Sequence, residues 1–267
     1  MFERVFKLSE HKTTVKTEVM AGITTFMTMA YILAVNPSVL GSTGMDTTAV
    51  LLATALASCL GTLCMAFMAN LPFALSAGMG LNAFMAYTVV AGYGYSWQVA
   101  LLAVFIEGLI FIVLSLTNIR EAIFNAIPLT LKKGVSVGIG LFIAFIGLQN
   151  SGLCVDSATL VGIISFPENF HTAGICALLT LIGLFFTAVF YTRKMKGAIL
   201  YGILLTWILG MICQVTGLYV PTPDAGFYSL FPSWGMTDFS RLGLTFGQCF
   251  NVDFSAVGIV NFIVVIF

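Results

Sequence analysis

Charge is what this chain has least of. Lysine, arginine, aspartate and glutamate make up 8% of 267 residues, and histidine occurs twice. A soluble domain of that length needs a far more charged surface, so a water-facing globule is excluded. Net charge is zero, which removes the basic footprint of a nucleic-acid partner. The two histidines, His11 and His171, fall in polar stretches and read as surface residues. No Ser–His–Asp set and no His/Cys/Asp/Glu cluster is visible, so no residue is assigned a catalytic or metal role and no cofactor is called for. The six cysteines have no metal-site spacing, and four of them lie in apolar runs where a thiol behaves as a small hydrophobe. Gly-Met-Gly-Leu-Asn at 78–82 lacks the strand–turn–helix context of a nucleotide-binding loop.

What is abundant is apolar surface. The chain is 59% hydrophobic with a mean hydropathy of +1.04, the composition of a polytopic membrane protein. Seven apolar runs are readable, near 19–35, 50–69, 73–90, 99–116, 135–148, 174–191 and 198–215, and an eighth starts near 256. The fold class is therefore all-α, with seven transmembrane segments and the start of an eighth. Ten of the eleven basic residues fall on one side of this topology: Arg4, Lys7, Lys12 and Lys16, then Arg120, Lys132 and Lys133, then Arg193, Lys194 and Lys196. Only Arg241 falls opposite. That asymmetry predicts a cytoplasmic N-terminus in a plasma-membrane protein. Cys154 and Cys249 share the outer side and are the one pair this topology would let bridge. The stretch 217–253, with Pro221, Pro223, Pro232 and Trp234, is too apolar for a free linker. It is expected at the outer interface with a short amphipathic helix.

The segment 256–267 would rise only about 18 Å as a helix, short of a hydrocarbon core of about 30 Å. It reads as the beginning of a span in a longer chain. Seven spans followed by an eighth suit one half of an inverted repeat, the first half of a 7+7 transporter.

The third run is the most informative. Its first half carries Pro72, Ser76, Gly78 and Gly80, a poor helix, whereas 81–90 is a good one. Ten helical residues rise about 15 Å, half of the core, and a short strand-like lead-in of about six residues supplies the rest. Broken backbone at membrane depth survives only inside protein or along a cavity, and transporters bind substrate at such breaks. Asn82 stands at the first turn of this half-helix. Its amide offers donors and an acceptor to a flat heterocycle such as a purine, or it simply caps the helix. Gly78 and Gly80 expose N–H groups at the same helix start, or serve tight helix packing. Ser76 precedes them.

In the first run Thr24, Thr28 and Tyr31 share one face, which bonds neighbouring helices or lines the site, with Thr28 the nearest candidate. Asn36-Pro37 is expected to end that span. Glu107 is the one carboxylate well inside a run. It serves proton coupling, or a structural hydrogen bond that fixes the fourth span against the third.

These stretches together resemble a known family. EVMAGITTFMTMAYILAVNP at 18–37 and ALSAGMGLNA at 74–83 are similar to the first and third spans of the AzgA-like hypoxanthine/guanine/adenine permeases. These belong to the nucleobase–cation symporter (nucleobase–ascorbate transporter) family. IEGLIF at 106–111, IRE at 119–121, IP at 127–128 and GIGLFIAFIGLQN at 138–150 continue the likeness in order. The resemblance implies fourteen spans in two inverted repeats. Spans one to four and eight to eleven would form a core domain and the others a gate, with a nucleobase bound where short strands of spans three and ten cross. Carried over, 1–18 is a cytoplasmic arm, 19–116 core, 117–255 gate and 256–267 the start of span eight. Gly80 and Asn82 fall on third-span purine positions, and Glu107 matches the fourth-span glutamate. Two further family carboxylates belong to spans eight and ten, beyond this sequence. The implied function is secondary active import of purine nucleobases, with a proton as coupling ion, by alternating access. The alternative is a same-fold carrier of uracil, xanthine or a small anion. The partners are then the purine and the lipid bilayer, and a homodimer is compatible with the reading.

Overall fold

The computed structural model describes residues 6, 8–9, 12–117, 119–157, 160–195, 197–223, 226–232, 238–252 and 262. The expected eighth span, apart from Phe262, lies outside them, as do Arg4, Lys7, His11, Lys196 and Trp234. Among the described residues six helical segments are long and apolar enough to cross a membrane: Val15–Gly41, Thr47–Ala69, Trp97–Leu116, Leu129–Asn150, Phe166–Thr192 and Ala198–Val215. The shorter Met79–Gly92 makes a seventh apolar helix. The chain is a multi-pass membrane protein. It divides into two units, 1–139 with 237–267, and 140–236.

In the first unit the opening span is two helices, Val15–Met29 and Ile32–Gly41. Thr14 caps the first, its hydroxyl oxygen accepting from Thr17 N–H at 3.3 Å. Between them the ladder tightens, with Leu33 N–H on Ala30 O at 3.1 Å and Ala34 N–H on Tyr31 O at 3.0 Å. Here the sequence expectation fails. Asn36-Pro37 does not end the span. Pro37 sits buried inside the second helix, which runs on to Gly41. Proline forfeits one backbone bond, which membrane helices tolerate when neighbours pack around it.

The half-helix is clamped by two apolar clusters. Met85 and Val89 pack with Leu40, Met45, Val50 and Ala100. Met79 and Ala86 pack with Ile32 and Val39. In lipid this close packing gains dispersion energy rather than escape from water. Elsewhere the spans present large apolar side chains outward, Leu60, Leu116 and Leu141 among them. Asp46 caps Thr47–Cys64 by accepting from Ala49 N–H at 2.8 Å, and its other oxygen meets Arg241 Nη1 at 3.0 Å. Arg241 belongs to the short 3-10 turn Phe239–Leu244, so part of the stretch 217–253 folds onto this helix end. Hydrogen bonds from Ser240 hold the Asp238 carboxyl at that turn below its ordinary range.

In the second unit Ile175–Thr192 and Ala198–Val215 form a helical hairpin that turns at Gly197, whose φ of +77° only glycine adopts readily. Two glycine–threonine pairs lock it. A Cβ on Gly183 would stand 2.1 Å from Thr206 Oγ1, and one on Gly202 would stand 1.8 Å from Thr187 Oγ1. Each threonine in turn donates to the glycine carbonyl of its own helix, Thr187 to Gly183 at 2.7 Å and Thr206 to Gly202 at 2.8 Å. Small residues allow this close approach.

The following loop is tied back by polar side chains. Leu230 N–H donates to Gln214 Oε1 at 2.8 Å, Trp207 Nε1 to Leu230 O at 2.9 Å, and Tyr219 Oη to Tyr228 O at 2.7 Å. His171, read as a solvated residue, is exposed and places Nδ1 3.2 Å from Leu218 O. An antiparallel hairpin, Cys154–Ser157 with Leu160–Ile163, adds a small sheet that the apolar periodicity did not announce. All six cysteines are free thiols.

Candidate functional site

The third span is broken as its composition predicts. The second span ends in a π-helical turn, Met65–Ala69, and Asn70 turns the chain with φ at 50°. Residues 71–78 form neither helix nor strand, and Gly78, with extended backbone (φ −80°, ψ 108°), leads into Met79–Ala83. The helix then widens into a π-helix, Phe84–Gly92. π turns of this kind recur at functional sites.

This lead-in has no strand partner among the described residues. Its polar groups are served instead by one face of Thr47–Cys64. Thr62 Oγ1 accepts from Leu75 N–H at 3.0 Å and donates to Leu75 O at 3.3 Å. Ser58 Oγ lies 2.8 Å from Ser76 Oγ. One turn further along the same face, Thr54 Oγ1 accepts from Asn36 Nδ2 at 2.7 Å. Residues 54, 58 and 62 repeat every four positions, which aligns their hydroxyls. Asn36 in turn accepts, on Oδ1, a hydrogen bond from Asn82 Nδ2. The half-helix, the first span and the second span are thus joined by side-chain hydrogen bonds at the break.

The candidate residues fall as follows. Asn82 is half-buried, and its N–H makes the first bond of the half-helix, to Gly78 O at 3.1 Å. The N–H groups before it belong to the helix start and have no intrahelical acceptor. Gly78 is exposed and Gly80 half-buried. Ser76 lines a cavity of about 510 Å³ with Thr25, Phe26, Ser58, Thr62 and Phe73. That volume suits a small ligand, and its walls are mostly apolar. Thr28, Gly78, Gly80 and Asn82 lie off this wall. Thr28 donates to Thr25 O in its own helix at 2.8 Å, and Thr24 and Thr25 do the same to Met20 O and Ala21 O. Glu107 is exposed on Trp97–Leu116 and has no hydrogen-bond or ion-pair partner among the described residues, so it makes no bond to the third span.

Sequence reasoning missed Asn36, Thr54, Ser58 and Thr62. The signal for three of them was present, as hydroxyls spaced by four in an otherwise apolar run. Asn36 was masked by the proline after it.

Comparison with known proteins decides the family. The sequence pattern of the permease family matches residues 16–267. The chain belongs to the permease family. A putative permease of Methanocaldococcus jannaschii is 49% identical over 232 residues, which cover 86% of this chain and 51% of that protein. An adenine permease of Escherichia coli is 44% identical over 79% of this chain and 46% of its own length. A guanine/hypoxanthine permease of Bacillus subtilis is 43% identical over 77% of this chain and 47% of its own length. This permease-family chain spans about half the length of the curated relatives it matches.

Proposed function

We propose that the protein carries purine nucleobases (hypoxanthine, guanine or adenine) across the plasma membrane together with a proton. One observation carries the reading: a short apolar helix, Met79–Gly92, follows a non-helical stretch and presents a side-chain amide, Asn82, at its first turn. Transporters bind cargo at such breaks. The names of the adenine and guanine/hypoxanthine relatives support a purine as the cargo.

In this reading Ser76, Gly78, Gly80 and Asn82 form one wall of the nucleobase site, and Thr28 of the first span is a further candidate contact. Residues 19–116 belong to a core domain that moves against a gate formed by 117–255. Glu107 is the proton-coupling candidate, an exposed carboxylate in the middle of a membrane helix. The basic residues orient the N-terminus to the cytoplasm. The protein is a transporter and not an enzyme. A small anion as cargo is disfavoured, because no lysine or arginine lies between residues 17 and 119.

The test is uptake of radiolabelled hypoxanthine, guanine and adenine by cells that lack their own purine permeases and express the complete gene product. Uptake of at least one, abolished by a protonophore, is expected. Absence of uptake of all three, with the protein present in the membrane, would overturn the proposal.

A further inference from the structure

We infer that Asn36 and Thr54 are positioning residues that set which way round the Asn82 amide faces, and through it the discrimination between 6-oxo and 6-amino purines. The inference rests on the reading of Asn82 as a nucleobase contact.

The Val50 carbonyl can only accept a hydrogen bond. Thr54 Oγ1 lies 2.7 Å from it. Two oxygens at that separation need a proton between them, and only the threonine hydroxyl has one. Thr54 therefore meets its other neighbour as an acceptor. That neighbour, Asn36, is 2.7 Å away and must present Nδ2. The opposite end of the Asn36 amide, Oδ1, is then turned to Asn82, which must answer with its own Nδ2. The orientation of both amides thus follows from a backbone carbonyl rather than from a choice between look-alike atoms. Asn36 is 3% exposed and Thr54 is 7% exposed, so water does not compete for the bond between them.

Asn82 keeps one N–H and its Oδ1 for a ligand. They form a donor–acceptor pair in one fixed spatial order. The two purine classes differ at this edge. A 6-oxo purine has an acceptor at position 6 and a donor at N1. A 6-amino purine has a donor at position 6 and acceptors at N1 and N7. An amide of fixed polarity meets one of these patterns in a given pose and opposes the other. An amide free to turn over accepts both. The hydrogen-bonded chain is what stops Asn82 from turning over.

The experiment compares hypoxanthine and adenine as inhibitors of uptake in wild type, Thr54→Val and Thr54→Ser of the complete gene product. Thr54→Val keeps the shape and removes the hydroxyl. It is expected to bring the ratio of the two inhibition constants about tenfold closer to one, the size of a single bidentate discrimination. Thr54→Ser restores the hydroxyl and is expected to keep the wild-type ratio. A merely structural role would lower uptake of both purines alike, and an unchanged ratio in Thr54→Val overturns the inference. If Thr54→Val does not reach the membrane, the ratio is read on Thr54→Ala. Failure of both valine and alanine to reach the membrane, with serine present there, would assign Thr54 to folding alone and also overturn it. Wild type that takes up neither purine overturns the proposed function, whereas active wild type with an unchanged ratio in the variant overturns this inference alone.

Discussion

Thr62 serves both polar groups of a single residue, accepting from the Leu75 N–H at 3.0 Å and donating to the Leu75 carbonyl at 3.3 Å. A strand in a sheet would give Leu75 two backbone partners. Here a helix side chain takes their place and holds the lead-in against the second span. Thr62→Val should therefore lower thermal stability in detergent by about 1–2 kcal/mol, the scale of one or two interhelical bonds in a membrane protein. Thr62→Ser should be neutral. An unchanged melting temperature in Thr62→Val would show that the lead-in is held by packing alone.

The glycine–threonine lock of the second unit makes a sharper contrast. Gly202→Ala places a methyl 1.8 Å from Thr187 Oγ1, and the two helices must separate. Overpacking of this kind costs about 1–3 kcal/mol. Gly108→Ala and Gly138→Ala meet nothing within 4 Å and should be neutral or slightly stabilising, since alanine is the better helix former. Thermal unfolding of the three variants side by side checks this. Equal melting temperatures would remove the lock.

The Asp46–Arg241 pair looks prominent but should matter little for its charge. Both side chains are partly open to solvent, and such pairs contribute about 0–1 kcal/mol. Asp46 has a second role as a helix cap, for which loss costs about 1 kcal/mol. Asp46→Ala should thus destabilise more than Arg241→Ala. High salt should weaken the Arg241 contribution and leave the cap.

Much of the fold was legible in the sequence for a simple physical reason. A bilayer demands apolar runs of fixed length, and among the described residues the seven runs reappear as six long helices and one short one. The break in the third span was legible too, because Pro72, Ser76, Gly78 and Gly80 oppose helix within a stretch otherwise fit for lipid. What escaped depended on distant partners. Asn36 and Thr54 are 18 residues apart, and so are Ser58 and Ser76, so no local pattern joins them. Asn36-Pro37 was read by the rule for helix ends, which packing overrode. The tightened turn at Ala30 and Tyr31 carries neither glycine nor proline, so nothing in the sequence marks it. The loop fastened by Gln214, Trp207 and Tyr219 likewise depends on partners that appear only once the chain folds.

Glu107 divides the two roles assigned to it from sequence. A structural bond to the third span is not formed, and the carboxylate stands exposed on its helix. If it couples protons, Glu107→Gln should reach the membrane at normal levels, keep purine affinity and lose the dependence of uptake on external pH. A variant with wild-type pH dependence would remove Glu107 from coupling.

The most direct test of the central claim, that the broken third span is a nucleobase site, is the affinity of Asn82→Ala for purines. Uptake of radiolabelled hypoxanthine, guanine and adenine is measured in cells with matched amounts of wild-type and variant protein in the membrane. Loss of uptake, with affinity for the transported purine reduced at least about tenfold, is the expected result, as a side-chain amide contact is removed. Asn82→Ala with unchanged affinity and uptake would contradict the account.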